Sequence, residues 1–211
     1  MAATPTIPEL EALVAERRQT LGEAHADTLT AMLDLAEALW GEGRLKTARL
    51  LEEAVVAGRR ALYGAAHPDT LKALGKLAVS IGQQGDLTEA RRLQEEVASG
   101  MRASHGAEAR DTLRAVNNLA GTVAALGDVE AAHAMLRETI ATLVRVFGEE
   151  DVDTLTSRGN LAALLWQAGE RDEAVELQER VADALRRTRG RNHPATQVAE
   201  ATLTGMLNEL F

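Results

Sequence analysis

The chain contains no cysteine, which excludes disulfides, thiolate metal sites and cysteine nucleophiles. Aromatics make up only 2% of its 211 residues, so any core must be built from leucine, alanine and valine. There is no excess of basic charge: Lys and Arg total 23 against 32 Asp and Glu, a net charge of −9. That balance is spread along the chain rather than gathered in one block, so the electrostatic footprint of a nucleic-acid binder is missing. No apolar run approaches the ~18 residues of a membrane span, and the opening MAATPTIPEL has no charged region followed by an apolar stretch. No segment alternates with a period of two, which argues against a sheet. The expectation is a soluble, cytoplasmic, all-α protein that engages neither nucleic acid nor membrane.

What is present is a repeat of 42 residues without insertions. Rows begin HADTLTAMLDLAEALWGEG at His25, HPDTLKALGKLAVSIGQQG at His67, ARDTLRAVNNLAGTVAALG at Ala109 and DVDTLTSRGNLAALLWQAG at Asp151. A partial row, HPATQVAEATLTGMLNELF, starts at His193, and the residues before His25 match the second half of a row. Fixed self-similarity at this period is the signature of a solenoid, in which each unit buries its apolar face against its neighbours. The expected organisation is a flexible start over 1–7 and a lone helix over 8–24. Full repeats follow over 25–66, 67–108, 109–150 and 151–192, with a capping helix over 193–211.

Each row reads as two helices. Pro68 and Pro194 suit a first helical position. Asp27, Asp69, Asp111 and Asp153 sit in the first turn, where negative charge meets the helix dipole favourably. Leu71, Leu74, Leu77, Ala78 and Ile81 recur at helical spacing. The first helix stops at Gly43, Gly85, Gly127 or Gly169, where a left-handed turn is expected. The second carries Ala48, Ala90, Ala132 or Ala174 near its start and ends at Gly64, Gly106, Gly148 or Gly190.

This pattern, H-P-D-T-L…N-N-L-A…G-x-x-x-E-A…L-G, resembles the 42-residue tetratricopeptide repeats of kinesin light chains. It is also similar to related repeats of standalone bacterial proteins and signalling ATPases. The resemblance implies a right-handed superhelix, an α-solenoid of about ten antiparallel helices, with the first helices lining a concave groove that binds proteins or peptides. The family's tyrosines are replaced here by Leu39, Ile81, Val123 and Leu165, and its Asn-Asn pair survives fully only at Asn117-Asn118 and by half at Asn160.

Once the core stripe is removed, the groove face expected from the first helices has a basic, amide-bearing centre. It comprises Lys72, Lys76, Arg114, Asn117, Asn118 and Asn160, with Trp40 and Trp166 towards the ends and Gln83 and Gln167 beside them. In an acidic chain such a cluster is a candidate site for a carboxylate, through charge-assisted hydrogen bonds. Solvated helix residues are the competing reading of Lys72 and Lys76, and binding anchors or helix packing are both open for the tryptophans. Asn118 and Asn160 share one row position, so their amides are spaced to hold an extended peptide backbone.

His25, His67 and His193 share a row position at helix entrances, on the order of 10 Å apart. That is too far for one metal, so they are expected to cap their helices. Glu149-Glu150-Asp151-Val152-Asp153 lacks the glycine and spaced ligands of a calcium loop and reads as a solvated turn. No catalytic motif, metal site or cofactor signal is found. The expected function is a non-catalytic adaptor or scaffold that binds a protein or peptide in the groove, with an acidic or carboxylate-bearing partner as the candidate. The alternatives are a regulatory sensor of a small molecule or peptide, and an enzyme or enzyme accessory using the cationic centre. Leu203, Leu207, Leu210 and Phe211 on the last helix also raise a possible homodimer.

Overall fold

In the computed structural model the described residues, 5–210, form ten α-helices and no strand. Residues 1–4 of the expected flexible start, and Phe211 of the last helix, lie outside the described residues. The helices fall into two compact units that divide at Gly106 and Ala107.

The first unit holds α1 (Ile7–Leu21), α2 (Ala26–Gly41), α3 (Leu45–Tyr63), α4 (Pro68–Gln83) and α5 (Leu87–His105), each packed on the next. Helix α1 opens one residue before the expected boundary, because Thr6 and Glu9 form a capping box in which Glu9 Oε2 accepts from the Thr6 N–H at 2.7 Å. The second unit holds α6 (Arg110–Ala125), α7 (Val129–Phe147), α8 (Val152–Ala168), α9 (Arg171–Arg189) and α10 (Pro194–Leu210), packed in the same order. Within it the first-type helices α6 and α8 also touch.

The helix entrances follow from the row pattern. The Nδ1 atoms of His25, His67 and His193 accept from the N–H groups of Asp27, Asp69 and Ala195, each at 3.2 Å. Where the fourth row has aspartate, Asp151 Oδ1 accepts from Asp153 N–H at 3.0 Å. Either side chain satisfies an amide that the helix leaves unpaired. Three residues separate α2 from α3, and Gly43 takes φ 75° there, a region closed to most side chains.

The core is aliphatic, as the shortage of aromatics requires. Leu71, Leu74, Leu77 and Ile81 on α4 are all buried. Ala36, Ala78, Ala120 and Ala162 on the first-type helices, with Ala48, Ala90, Ala132 and Ala174 on the second-type helices, are fully inaccessible. Their small side chains let neighbouring helices approach closely. A cluster in the second unit gathers Leu119, Ala120, Val123, Ala132, Leu136, Leu161, Leu164, Leu165 and Ala174. Thr28, Thr70 and Thr154 are also fully buried. Thr28 donates to the Gly22 carbonyl at 2.8 Å and Thr154 to that of Gly148 at 2.9 Å, whereas the Thr70 hydroxyl has no partner.

Candidate functional site

The candidate residues divide between the two units. In the first, Trp40 and Gln83 are exposed at the ends of α2 and α4. Lys72 and Lys76 lie one turn apart on α4 and are both exposed. The Lys76 ammonium is paired across the helices, meeting Glu37 Oε2 of α2 at 2.5 Å. Asp34 is exposed on α2 one turn before Glu37, so this face is not a basic surface.

Glu52 on α3 was not singled out by the sequence. It is 4% exposed, and its Oε2 has no hydrogen-bond partner. Burial pushes its carboxyl above the usual range, against the opposing influence of the Ser80 hydroxyl and the Lys76 charge; Glu53 adds to the rise. The same row position holds Gln94, Leu136 and Gln178 in the later repeats. Gln178 shows what a neutral side chain achieves there, since its Nε2 donates to the Ala199 carbonyl of the following helix at 2.9 Å.

In the second unit Arg114, Asn117 and Asn118 come together in one pocket between α6 and α8. Its volume is about 310 Å³, and Leu143, Asp153, Thr156 and Ser157 complete the lining. Arg114 and Asn118 are exposed, but Asn117 is not a surface amide: it is 7% exposed, and its Oδ1 has no partner. Asn160 is exposed on α8 at the position that Asn118 holds on α6. Gln167 is exposed near the end of α8. Trp166 is half-buried, packed on the aliphatic cluster, with the Arg171 guanidinium 5.0 Å from its ring centre.

The acidic turn before α8 is solvated at Glu149 and Glu150 but carries an ion-pair network at Asp151 and Asp153. Arg110 donates to both Asp151 oxygens at 2.9 and 3.0 Å, also binds Asp153, and lies 4.1 Å from the Phe147 ring centre. Arg114 Nε donates to Asp153 Oδ1 at 2.7 Å. The Asp151 and Asp153 side chains are only 17% and 12% exposed, because Arg110 and Arg114 of the preceding repeat cover them. The hydrogen bonds from Arg110 hold the Asp151 carboxyl below the usual carboxylate range, and the two carboxylates raise the Arg110 guanidinium. Two arginines therefore face two aspartates, and the pocket carries no net positive charge.

The remaining histidines take local partners. His105 shares a 2.8 Å hydrogen bond with Ser104, and His133 Nε2 accepts from Arg137 Nε at 3.1 Å. Among the described residues no helix is long and apolar enough to cross a membrane.

Comparison with solved structures places this architecture among known solenoids. A variant of a Podosopora anserina protein with nearly identical TPR-like repeats, described as a kinesin light chain, is 29% identical. The match covers 86% of each chain with a TM-score of 0.71. BtubC (BKLC) from P. vanneervenii is 20% identical over 99% of this chain and 85% of its own, TM-score 0.73. A Rap protein complexed with competence and sporulation factor is 11% identical over 95% of this chain and 59% of its own, TM-score 0.70. At those lower identities the last two speak to the fold alone. A search of curated proteins returns no significant match. Tetratricopeptide repeat profiles match residues 28–69, 69–143 and 111–187, so the chain belongs to the tetratricopeptide repeat family.

Proposed function

We propose that the protein is a non-catalytic, cytoplasmic adaptor that holds a peptide segment of a partner protein along its first-type helices. The observation that carries this reading is the pair of exposed amides, Asn118 and Asn160, at one row position on the touching helices α6 and α8, beside the α6–α8 pocket. Each amide offers a donor and an acceptor, the complement of an extended peptide backbone. The Rap protein complexed with competence and sporulation factor supports the fold's capacity for such a role. Carboxylates already face Lys76 and Arg114, so this mode of binding does not require an acidic partner.

The test is binding to an immobilised peptide library, followed by Asn118→Ala and Asn160→Ala. Each substitution should weaken a bound peptide about tenfold or less, the range of lost neutral hydrogen bonds, without changing helical content. A peptide held equally well by both variants would overturn the assignment. A second association is proposed through α10, where Val198 is 66% exposed and Leu210 37%. Sedimentation showing a strict monomer at micromolar concentration would refute it.

A further inference from the structure

We infer that the α6–α8 pocket receives the cationic head of a lysine or arginine side chain from a bound peptide, and that Arg114 is a tethered stand-in for that guest. The inference rests on the peptide-binding reading above and names the partner's chemistry.

The pocket sets hydrogen-bond acceptors beside the Arg114 guanidinium and the Asn117 and Asn118 amides. Asn117 lines the cavity, and its Oδ1 is buried behind that wall without a donor. Thr156 already donates its hydroxyl hydrogen to the Val152 carbonyl at 2.8 Å, so towards the cavity its oxygen accepts. Asp153 supplies a carboxylate that is 12% exposed. A guest carboxylate brought to Arg114 would lie against Asp153 and leave Asn117 Oδ1 unsatisfied. A guest ammonium or guanidinium supplies several donors to these same oxygens. The chain's net charge of −9 favours its approach as well.

The two arginines at this site differ in freedom. Arg110 is fixed by both oxygens of Asp151 and by the face of Phe147. Arg114 is 51% exposed and meets Asp153 through Nε. Its long side chain can swing outward and surrender that oxygen to a guest. Arg114 therefore competes with the ligand, and removing it should strengthen binding.

The experiment is a titration of the full chain, followed by the side-chain amide signals of Asn117 and the Arg114 Nε–H signal in 15N NMR spectra. Four probes are used: acetyl-arginine amide, acetyl-lysine amide, acetyl-glutamine amide and acetyl-glutamate amide. The two cationic probes are expected to shift these signals, and added salt should weaken them. Arg114→Ala and Arg114→Gln are expected to tighten the arginine probe about threefold or more, while Asn117→Leu weakens it about tenfold, as loss of a charged hydrogen bond would. Leucine is a tolerated size at this row position, where Leu33 stands in the first repeat. Preferential binding of the glutamate probe, equal binding of the glutamine probe, or loss of binding in both Arg114 variants overturns the cationic assignment and leaves peptide binding intact. If neither these probes nor any library peptide moves a signal on α6 or α8, both readings fail.

Discussion

Replacing Glu52 with glutamine is expected to stabilise the protein, by an amount that grows as the pH rises. Glu52 is 4% exposed, and one carboxylate oxygen is buried without a donor. An unsatisfied buried polar atom costs about 1–3 kcal/mol, and a net neutral hydrogen bond returns about 1 kcal/mol. Glutamine removes the charge and brings an N–H donor, as Gln178 does towards Ala199, while its Oε1 stays unpaired as those of Gln94 and Gln178 do. The hydrogen-bond gain of about 1 kcal/mol corresponds to a rise of about 2–4 °C in Tm for a chain of this size.

The sign of the pH dependence follows from the direction of the shift. Burial raises the folded-state carboxyl above its unfolded value of about 4.3, so the folded protein holds this proton more tightly. Stability from this group is complete below that value and is lost as pH rises through the folded value, by at most about 1.4 kcal/mol per pH unit. Lys76 and Ser80 on α4 moderate the rise, and Glu53, beside Glu52 on α3, adds to it. Thermal unfolding of the wild type and Glu52→Gln from pH 4 to 8 reads the difference directly, while the other carboxylates cancel. A difference that stays constant across that range, or a variant less stable at pH 8, would refute the reasoning.

Three further outcomes are expected. Ala120→Leu, at a fully inaccessible position, should overpack the helix interface and cost about 1–3 kcal/mol in chemical denaturation; unchanged stability would mean the interface yields. Thr154→Val should cost about 1 kcal/mol through its bond to Gly148, whereas Thr70→Val should be neutral or stabilising; equal losses would refute the contrast. Arg110→Gln should flatten the acid limb of the stability profile. The lowered Asp151 contributes stability above its unfolded value that is lost as pH falls, and the variant removes the main cause.

The repeat period and the helix boundaries could be read from spacing because they depend on residues close in the chain, and the aliphatic core because its positions recur at helical spacing in every row. The cap at His67, the turn at Gly43 and the buried Ala120 all belong to this class. The electrostatics of the site were not readable in the same way. Lys76 and Arg114 look like open cations along their own helices, but their partners, Glu37 and Asp153, are 39 positions away in both cases. Asn117 and Asn118 are adjacent in the same motif, yet helical rotation buries one and exposes the other. A signal for Glu52 was present, because glutamine recurs at that row position in the second and fourth repeats. A lone carboxylate among neutral counterparts marks a desolvated site.

The spacing of these ion pairs bears on how the chain folds in time. Lys76–Glu37, Arg60–Glu96, Arg145–Glu108, Arg114–Asp153 and Arg110–Asp151 join residues 36 to 41 positions apart, about one repeat. Each therefore requires the closure of a loop of similar length, at nearly the same entropic cost wherever it forms. Nucleation then has no strongly preferred starting row on loop closure alone, and differences in folding rate pass to the local stability of each helical pair. A substitution such as Ala120→Leu acts inside one such pair, and it should redirect the order in which rows assemble as well as lower the final stability.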